Sequence, residues 1–133
     1  MTSILVLEDE YFLMKFMRQI LKHHTVLGAS SAEEALRHFK RSNRGVNLLI
    51  ANVNLPTSSG VQVALLLRSA VPELPTILTS DYPLSSWNEQ DAADLKRLGS
   101  NSVIVIQKPV ETQRLLNCVR ELIGALPEVA RTA

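Results

Sequence analysis

Residues 4–10 read Ile4-Leu5-Val6-Leu7-Glu8-Asp9-Glu10, four apolar residues in a row and then three acids. An unbroken apolar run this short suits a strand covered on both faces, as in a parallel sheet clothed by helices. Leu13, Phe16, Met17, Ile20 and Leu21 follow at i, i+3, i+4, i+7 and i+8, which draws one apolar stripe along a helix. The opening twenty residues therefore predict a strand, an acidic turn and an amphipathic helix.

The same unit recurs down the chain. Val26 to Ala29 is a weaker strand, and Ser31 with Glu34 fits a capping box that opens a helix through about Lys40. Val46 to Ala51 predicts the third strand, Pro56 and Gly60 mark a loop, and Val61 to Ala70 reads as helix. Pro75 to Thr79 is the fourth strand, residues 81–88 a loop, and Glu89 to Leu98 a helix stopped by Gly99. Val103 to Ile106 is the fifth strand, and Leu115, Leu116, Val119, Leu122 and Ile123 mark the last helix. Five strands alternating with five helices imply an α/β fold, a doubly wound five-stranded parallel sheet with helices on both faces. Residues 1–124 form the one expected domain, and 125–133, without periodicity, a flexible C-terminal tail.

Composition agrees with one packed domain. The chain has 133 residues, 46% of them hydrophobic and 20% charged, enough apolar matter for a core and too little charge for a disordered segment. Fourteen Lys plus Arg against thirteen Asp plus Glu leave +1, which argues against a nucleic-acid partner. The single Cys118 excludes an internal disulfide and a cysteine-based zinc site. No apolar run approaches the roughly 18 residues of a membrane span, and no signal peptide is apparent, so the expected compartment is the cytoplasm.

In open α/β sheets, ligands bind beyond the carboxyl ends of the strands. Glu8-Asp9-Glu10, Asn52-Val53-Asn54, Thr79-Ser80-Asp81 and Gln107-Lys108-Pro109 stand at those ends. Acids beside carbonyl oxygens suit a hard cation such as Mg²⁺, and a lysine with a hydroxyl suits phosphoryl oxygens. Each acid alone is more simply a solvated helix cap; the ordered set is not.

Those four segments resemble the receiver domains of two-component response regulators over about residues 3–124. Glu8 and Asp9 match the family's acidic pair. Leu48 to Pro56 with Gly60 match its third strand and following loop, Ser80 its Thr/Ser position, and Lys108-Pro109 its lysine–proline pair. The resemblance implies a flavodoxin-like (βα)5 fold and a cis Lys108-Pro109 bond that aims the lysine at Glu8 and Asp9. It also implies a mechanism. An aspartate ending strand three accepts a phosphoryl group from a kinase histidine. Mg²⁺ is held by Asp9, by Glu8 through water and by the Asn54 carbonyl, and Ser80 and Lys108 grip the phosphoryl oxygens. A strand-five aromatic then relays the change to the surface of helix four, strand five and helix five.

Two positions break that mechanism. The acceptor position is Asn52, and a neutral amide has no carboxylate oxygen to attack phosphorus. The aromatic position, three before Lys108, is Val105, which has no ring to swing. Asp81 adds a carboxylate that would repel an incoming phosphoryl group. The expected function is a stand-alone atypical receiver, non-enzymatic, signalling by protein–protein contact through residues 87–124, homodimerisation included, with Mg²⁺ weak or vestigial. The alternative is a phosphorylatable-type Mg²⁺-dependent phosphorelay receiver whose acceptor aspartate is replaced by Asn52 in this chain. A flavin-binding relative of the same fold would need a Gly/Ser/Thr-rich phosphate loop after strand one, where the three acids stand. His23, His24 and His38 read as surface residues of helices one and two. Lys40, Arg41 and Arg44 read as a solvated helix end, Trp87 as a packed anchor or a partner contact, and Cys118 as a quiet thiol.

Overall fold

The computed structural model describes residues 2–124; the expected tail, 125–133, lies outside the described residues. The elements run β1 (Ser3–Leu7), α1 (Tyr11–Ile20), β2 (Thr25–Ala29), α2 (Ala32–Arg41) and β3 (Leu48–Asn52). They continue with α3 (Gly60–Ala70), β4 (Thr76–Ser80), α4 (Glu89–Leu98), β5 (Val103–Gln107) and α5 (Thr112–Ile123), and a single 3₁₀ turn, Leu84–Ser86, precedes α4. All strand pairs are parallel, in the order β2-β1-β3-β4-β5. The flavodoxin-like order expected from the resemblance is thus present.

Each apolar run serves both faces of the sheet. Leu5, Leu7, Leu49, Ala51 and Leu78 turn to one side and pack with Ala35, Phe39, Val61, Ala64 and Leu67 of α2 and α3. Ile4, Val6, Leu48, Ile50 and Ile77 turn to the other and pack with Met17, Leu115, Cys118 and Val119 of α1 and α5. Strand side chains alternate faces, so one four-residue run fills two half-cores.

Helix ends follow local chemistry. Glu10 is the N-cap of α1, and its carboxylate accepts from the Phe12 and Leu13 amides at 3.1 and 2.7 Å. Ser31 caps α2 as expected, but the Glu34 carboxylate takes the Ser30 amide at 2.7 Å, one residue before the cap. That bond is the main cause holding the Glu34 carboxyl below its ordinary range. Gly99 ends α4 at φ +84°, the left-handed region where glycine is favoured.

Several boundaries shift, most of them by one residue. β3 starts at Leu48, not Val46; Val46 is buried, but as part of the connection rather than the ladder. β4 starts after Pro75, which has no amide to donate to a ladder. α5 opens at Thr112, ahead of its first apolar contact at Leu115.

Candidate functional site

The chain leaves β1 for β2 on one side and reaches β3 on the other, so the order reverses between β1 and β3. The end of β3 carries Asn52, and the loops leaving these two strands carry Glu8, Asp9 and Asn54. Gly60 lets them close over the sheet: a Cβ there would collide with the Asn52 carbonyl oxygen, so only glycine lets α3 start this near to β3.

Asn52 is the centre of the site and only 2% exposed. Its Nδ2 lies 3.0 Å from Asp9 Oδ1, 3.4 Å from Glu8 Oε2 and 3.5 Å from the Asn54 carbonyl oxygen. Its Oδ1 accepts the Asn54 amide at 2.9 Å. This network orients the amide, because a flipped group would face its oxygen to two carboxylates. The three acceptors around Nδ2 are the three groups that the sequence assigns to a cation.

Ser80 lies at the end of β4, fully buried. Its hydroxyl proton is shared between the Tyr82 carbonyl at 2.8 Å and Asn54 Oδ1 at 3.3 Å, and its oxygen accepts the Tyr82 amide at 3.1 Å. Asn54 Oδ1 also accepts the Asp81 amide at 2.8 Å. The Lys108-Pro109 bond is cis. The Lys108 ammonium stands 3.2 Å from Glu8 Oε1 and 3.4 Å from Asp81 Oδ1. The expected aim is thus met at Glu8, but the second carboxylate is Asp81 rather than Asp9, because Asp9 is engaged by the Asn52 amide.

Glu8 is 2% exposed, and burial pushes its carboxyl pKa up, against the Glu10 amide and the Lys108 charge, which pull it down. Glu8 Oε1 has the Lys108 ammonium as its ion-pair partner, at 3.2 Å. Thr79 Oγ1, also buried, has no hydrogen-bond partner.

The remaining sequence-predicted residues divide. Val105 is half-buried against the α3–α4 side of the core. A groove of about 430 Å³ opens beside it, lined by Leu95, Lys96, Gly99, Ser100 and Val103. Trp87 packs on the same core, and its Nε1 donates to the Tyr82 carbonyl at 3.2 Å. Lys40, Arg41 and Arg44 are exposed at the end of α2, and Cys118 is a buried free thiol. The histidine reading needs correction. His23 and His24 lie beyond the end of α1, and His38 is half-buried, its Nε2 at 2.9 Å from the Gly28 carbonyl. Glu10, the third acid, caps α1 and stays outside the cluster. Sequence reasoning gave Asn54 only a backbone role; its side chain joins β3 to the loop after β4. Asn two residues past a strand end is a turn-forming residue, and that was the only available signal.

Mg²⁺ is the ion implied by the resemblance. It requires near-octahedral oxygen ligands at about 2.0–2.1 Å. As arranged, the Asn52 amide presents hydrogens, not oxygen, to Asp9, Glu8 and the Asn54 carbonyl. Among the described residues no group of three or more His, Cys, Asp and Glu side chains converges for a metal. The donor set does not fit the cation. No described helix is long and apolar enough to cross a membrane.

The family model for the response regulator receiver domain matches residues 4–120. The response regulator protein FleR of Pseudomonas aeruginosa is 32% identical over 128 residues, 94% of this chain and 25% of FleR, so the chain spans about a quarter of that relative. A CheY-like receiver domain protein of Methanospirillum hungatei superposes with a TM-score of 0.78 at 22% identity, over 100% of this chain and 99% of that one. A receiver domain protein of Clostridium thermocellum gives 0.76 at 24% identity, over 93% and 95% of the two chains. A chain of the CheX–CheY–BeF3–Mg²⁺ complex of Borrelia burgdorferi gives 0.72 at 20% identity, over 90% and 87%. The structural likenesses agree with the strand order, and the family match covers the acids, Asn52, Ser80 and Lys108 alike: the chain belongs to the response regulator receiver domain family.

Proposed function

We propose that this receiver domain of two-component signalling works as a protein-interaction module that carries no phosphoryl group on residue 52. One observation carries the reading. The Asn52 Nδ2 group donates into Asp9, Glu8 and the Asn54 carbonyl, where the family's chemistry needs a cation. A neutral amide thereby satisfies the acids without metal, and its delocalised oxygen is too weak a nucleophile to form an acyl phosphate.

The partner is a protein, a kinase or another signalling protein, bound through residues 87–124. The open groove beside Val105 supports this face, since no ring fills it, and Trp87 borders the same α4 region. A net charge of +1 gives a nucleic acid little to hold. The domain is not an enzyme in this reading, because the group that would accept phosphate from a donor is missing.

A second reading keeps a specific support. Glu8, Asp9, Ser80 and Lys108 are all present and gathered, so a phosphorelay pocket lacks only its acceptor carboxylate. Calorimetric titration with Mg²⁺ separates the two. The native chain should bind at millimolar affinity or weaker, and Asn52→Asp should bind at least about tenfold more tightly, because a carboxylate oxygen replaces an amide hydrogen. Micromolar Mg²⁺ affinity in the native chain contradicts the proposal.

A further inference from the structure

The Asn52 amide, the Ser80 hydroxyl, the Asp81 amide and the Lys108 ammonium, four donors of the strand-end pocket, are each engaged by the chain itself. Asn52 Nδ2 is taken by Asp9, Glu8 and the Asn54 carbonyl. The Asp81 amide and, in part, the Ser80 hydroxyl are taken by Asn54 Oδ1, and the rest of the Ser80 proton goes to the Tyr82 carbonyl. Lys108 is held between Glu8 and Asp81. An anion entering here would meet donors already engaged and carboxylates beside each of them.

We propose that the Asn54 side chain is a built-in ligand of this pocket, latching the loop after β4 to the end of β3 so that the domain presents residues 80–87 in one conformation without any small ligand. This rests on the reading of the site as one that takes no phosphoryl group, and adds that its state is fixed rather than switched. Asn54 acts as a positioning residue.

The geometry explains why the latch reaches beyond its own atoms. Asn54 Oδ1 fixes the first amide of the loop, at Asp81. Tyr82 is bonded through both its amide and its carbonyl to Ser80 Oγ, and the same carbonyl receives the Trp87 indole N–H. Residues 80–87 thus hang on one chain of hydrogen bonds that starts at Asn54 and ends at the only tryptophan. Beside the polar Asp81, Ser85 and Ser86, this loop turns two large side chains outward: Tyr82 is 55% exposed and Leu84 53%. Holding them still lowers the entropic cost of any contact they make. The Asp81 carboxylate adds a second tie through Lys108 to Glu8 on β1, so the loop is tied to three strand ends.

Amide hydrogen exchange of the whole chain, resolved by residue with NMR, tests the latch, with Trp87 emission as a second readout. In the native chain the Asp81 and Tyr82 amides should exchange at least about tenfold more slowly than an unstructured peptide, because each is hydrogen-bonded. Addition of Mg²⁺ with beryllofluoride should change neither their rates nor the Trp87 spectrum. Asn54→Ala should speed Asp81 exchange roughly tenfold and shift Trp87 emission, with the Val53 amide, bonded to the Thr79 carbonyl, as the internal control for an intact sheet. Asn54→Asp keeps the acceptor oxygen and should stay within about twofold of native. An unprotected Asp81 amide in the native chain overturns the latch, as does native-like Asp81 exchange in Asn54→Ala. The native measurement stands even if Asn54→Ala fails to fold. Phosphorylation of residue 52 would defeat the reading of the site itself; an unprotected loop in a chain that takes no phosphate would defeat the latch alone.

Discussion

Asn52 differs from aspartate by one group, and that group decides whether the pocket needs a metal. With NH₂ in place of O⁻, the cluster of Glu8, Asp9 and the Asn54 carbonyl has a donor at its centre. Asn52→Asp would set a third carboxylate about 4 Å from two others, a repulsion of roughly 1–4 kcal/mol depending on the local dielectric. We expect that variant to melt lower than the native chain without Mg²⁺ and to regain stability as Mg²⁺ is added, while native melting stays flat; thermal unfolding at several Mg²⁺ concentrations checks this. Thr79 makes a separate residue-scale prediction. Its hydroxyl is buried with no partner, a cost that valine of the same shape avoids. Thr79→Val should therefore raise unfolding stability by about 1 kcal/mol, read as a higher urea midpoint at unchanged slope. What a residue can do chemically was legible in the sequence at Asn52, Val105 and Lys108, because it follows from side-chain type. What each one touches was not. The lysine meets Asp81 instead of Asp9, and the Asn54 side chain bonds a loop 27 positions away, because partners are chosen by the fold rather than by neighbours in the chain.

At the scale of elements, the ends of β1 and β5 are joined by the Glu8–Lys108 pair, and its pH dependence has a definite sign. Burial raises the Glu8 pKa above its ordinary value of 4.5. A carboxyl raised on folding contributes stability that is complete below its unfolded pKa and is lost as pH rises through the folded one. The native chain should therefore lose part of its advantage over Glu8→Gln as pH rises from below 4.5 through that raised value. Urea unfolding of both proteins across that window reads the difference, and a difference constant with pH would mean that Glu8 is not desolvated as described. Strand and helix positions were legible because apolar period is a local property. The boundaries that moved did so for tertiary or capping reasons. Val46 is buried without belonging to the ladder, and Glu10, grouped with the acidic pair by sequence, is spent on capping α1.

For the molecule as a whole, alternation of strands and helices implied a parallel sheet, but the order β2-β1-β3-β4-β5 is set by where crossovers pack, and came only through the family resemblance. That order brings four separate strand ends to one pocket, and no single segment of sequence carries the site. The far face, around α4 and β5, is where the proposed partner would bind. Substitution of Trp87 by alanine should weaken capture of a partner by roughly tenfold or more if the ring is an interface anchor, whereas Lys40→Ala, on the exposed end of α2, should leave it unchanged. Binding assays with a partner isolated on the native chain would show equal losses, or none, if this face is not the one used.

The central claim, that residue 52 carries no phosphoryl group, is tested most directly by intact-mass spectrometry of the native chain after incubation with acetyl phosphate and Mg²⁺, with Asn52→Asp treated in parallel. The account predicts an unchanged mass for the native chain, since the Asn52 amide cannot form an acyl phosphate. In the variant it predicts partial gain of one phosphoryl mass, since Glu8 and Asp9 stand against residue 52, Lys108 is paired with Glu8, and Ser80 is bonded to Asn54. A phosphoryl mass on the native chain, mapped to the peptide that contains Asn52, would contradict it.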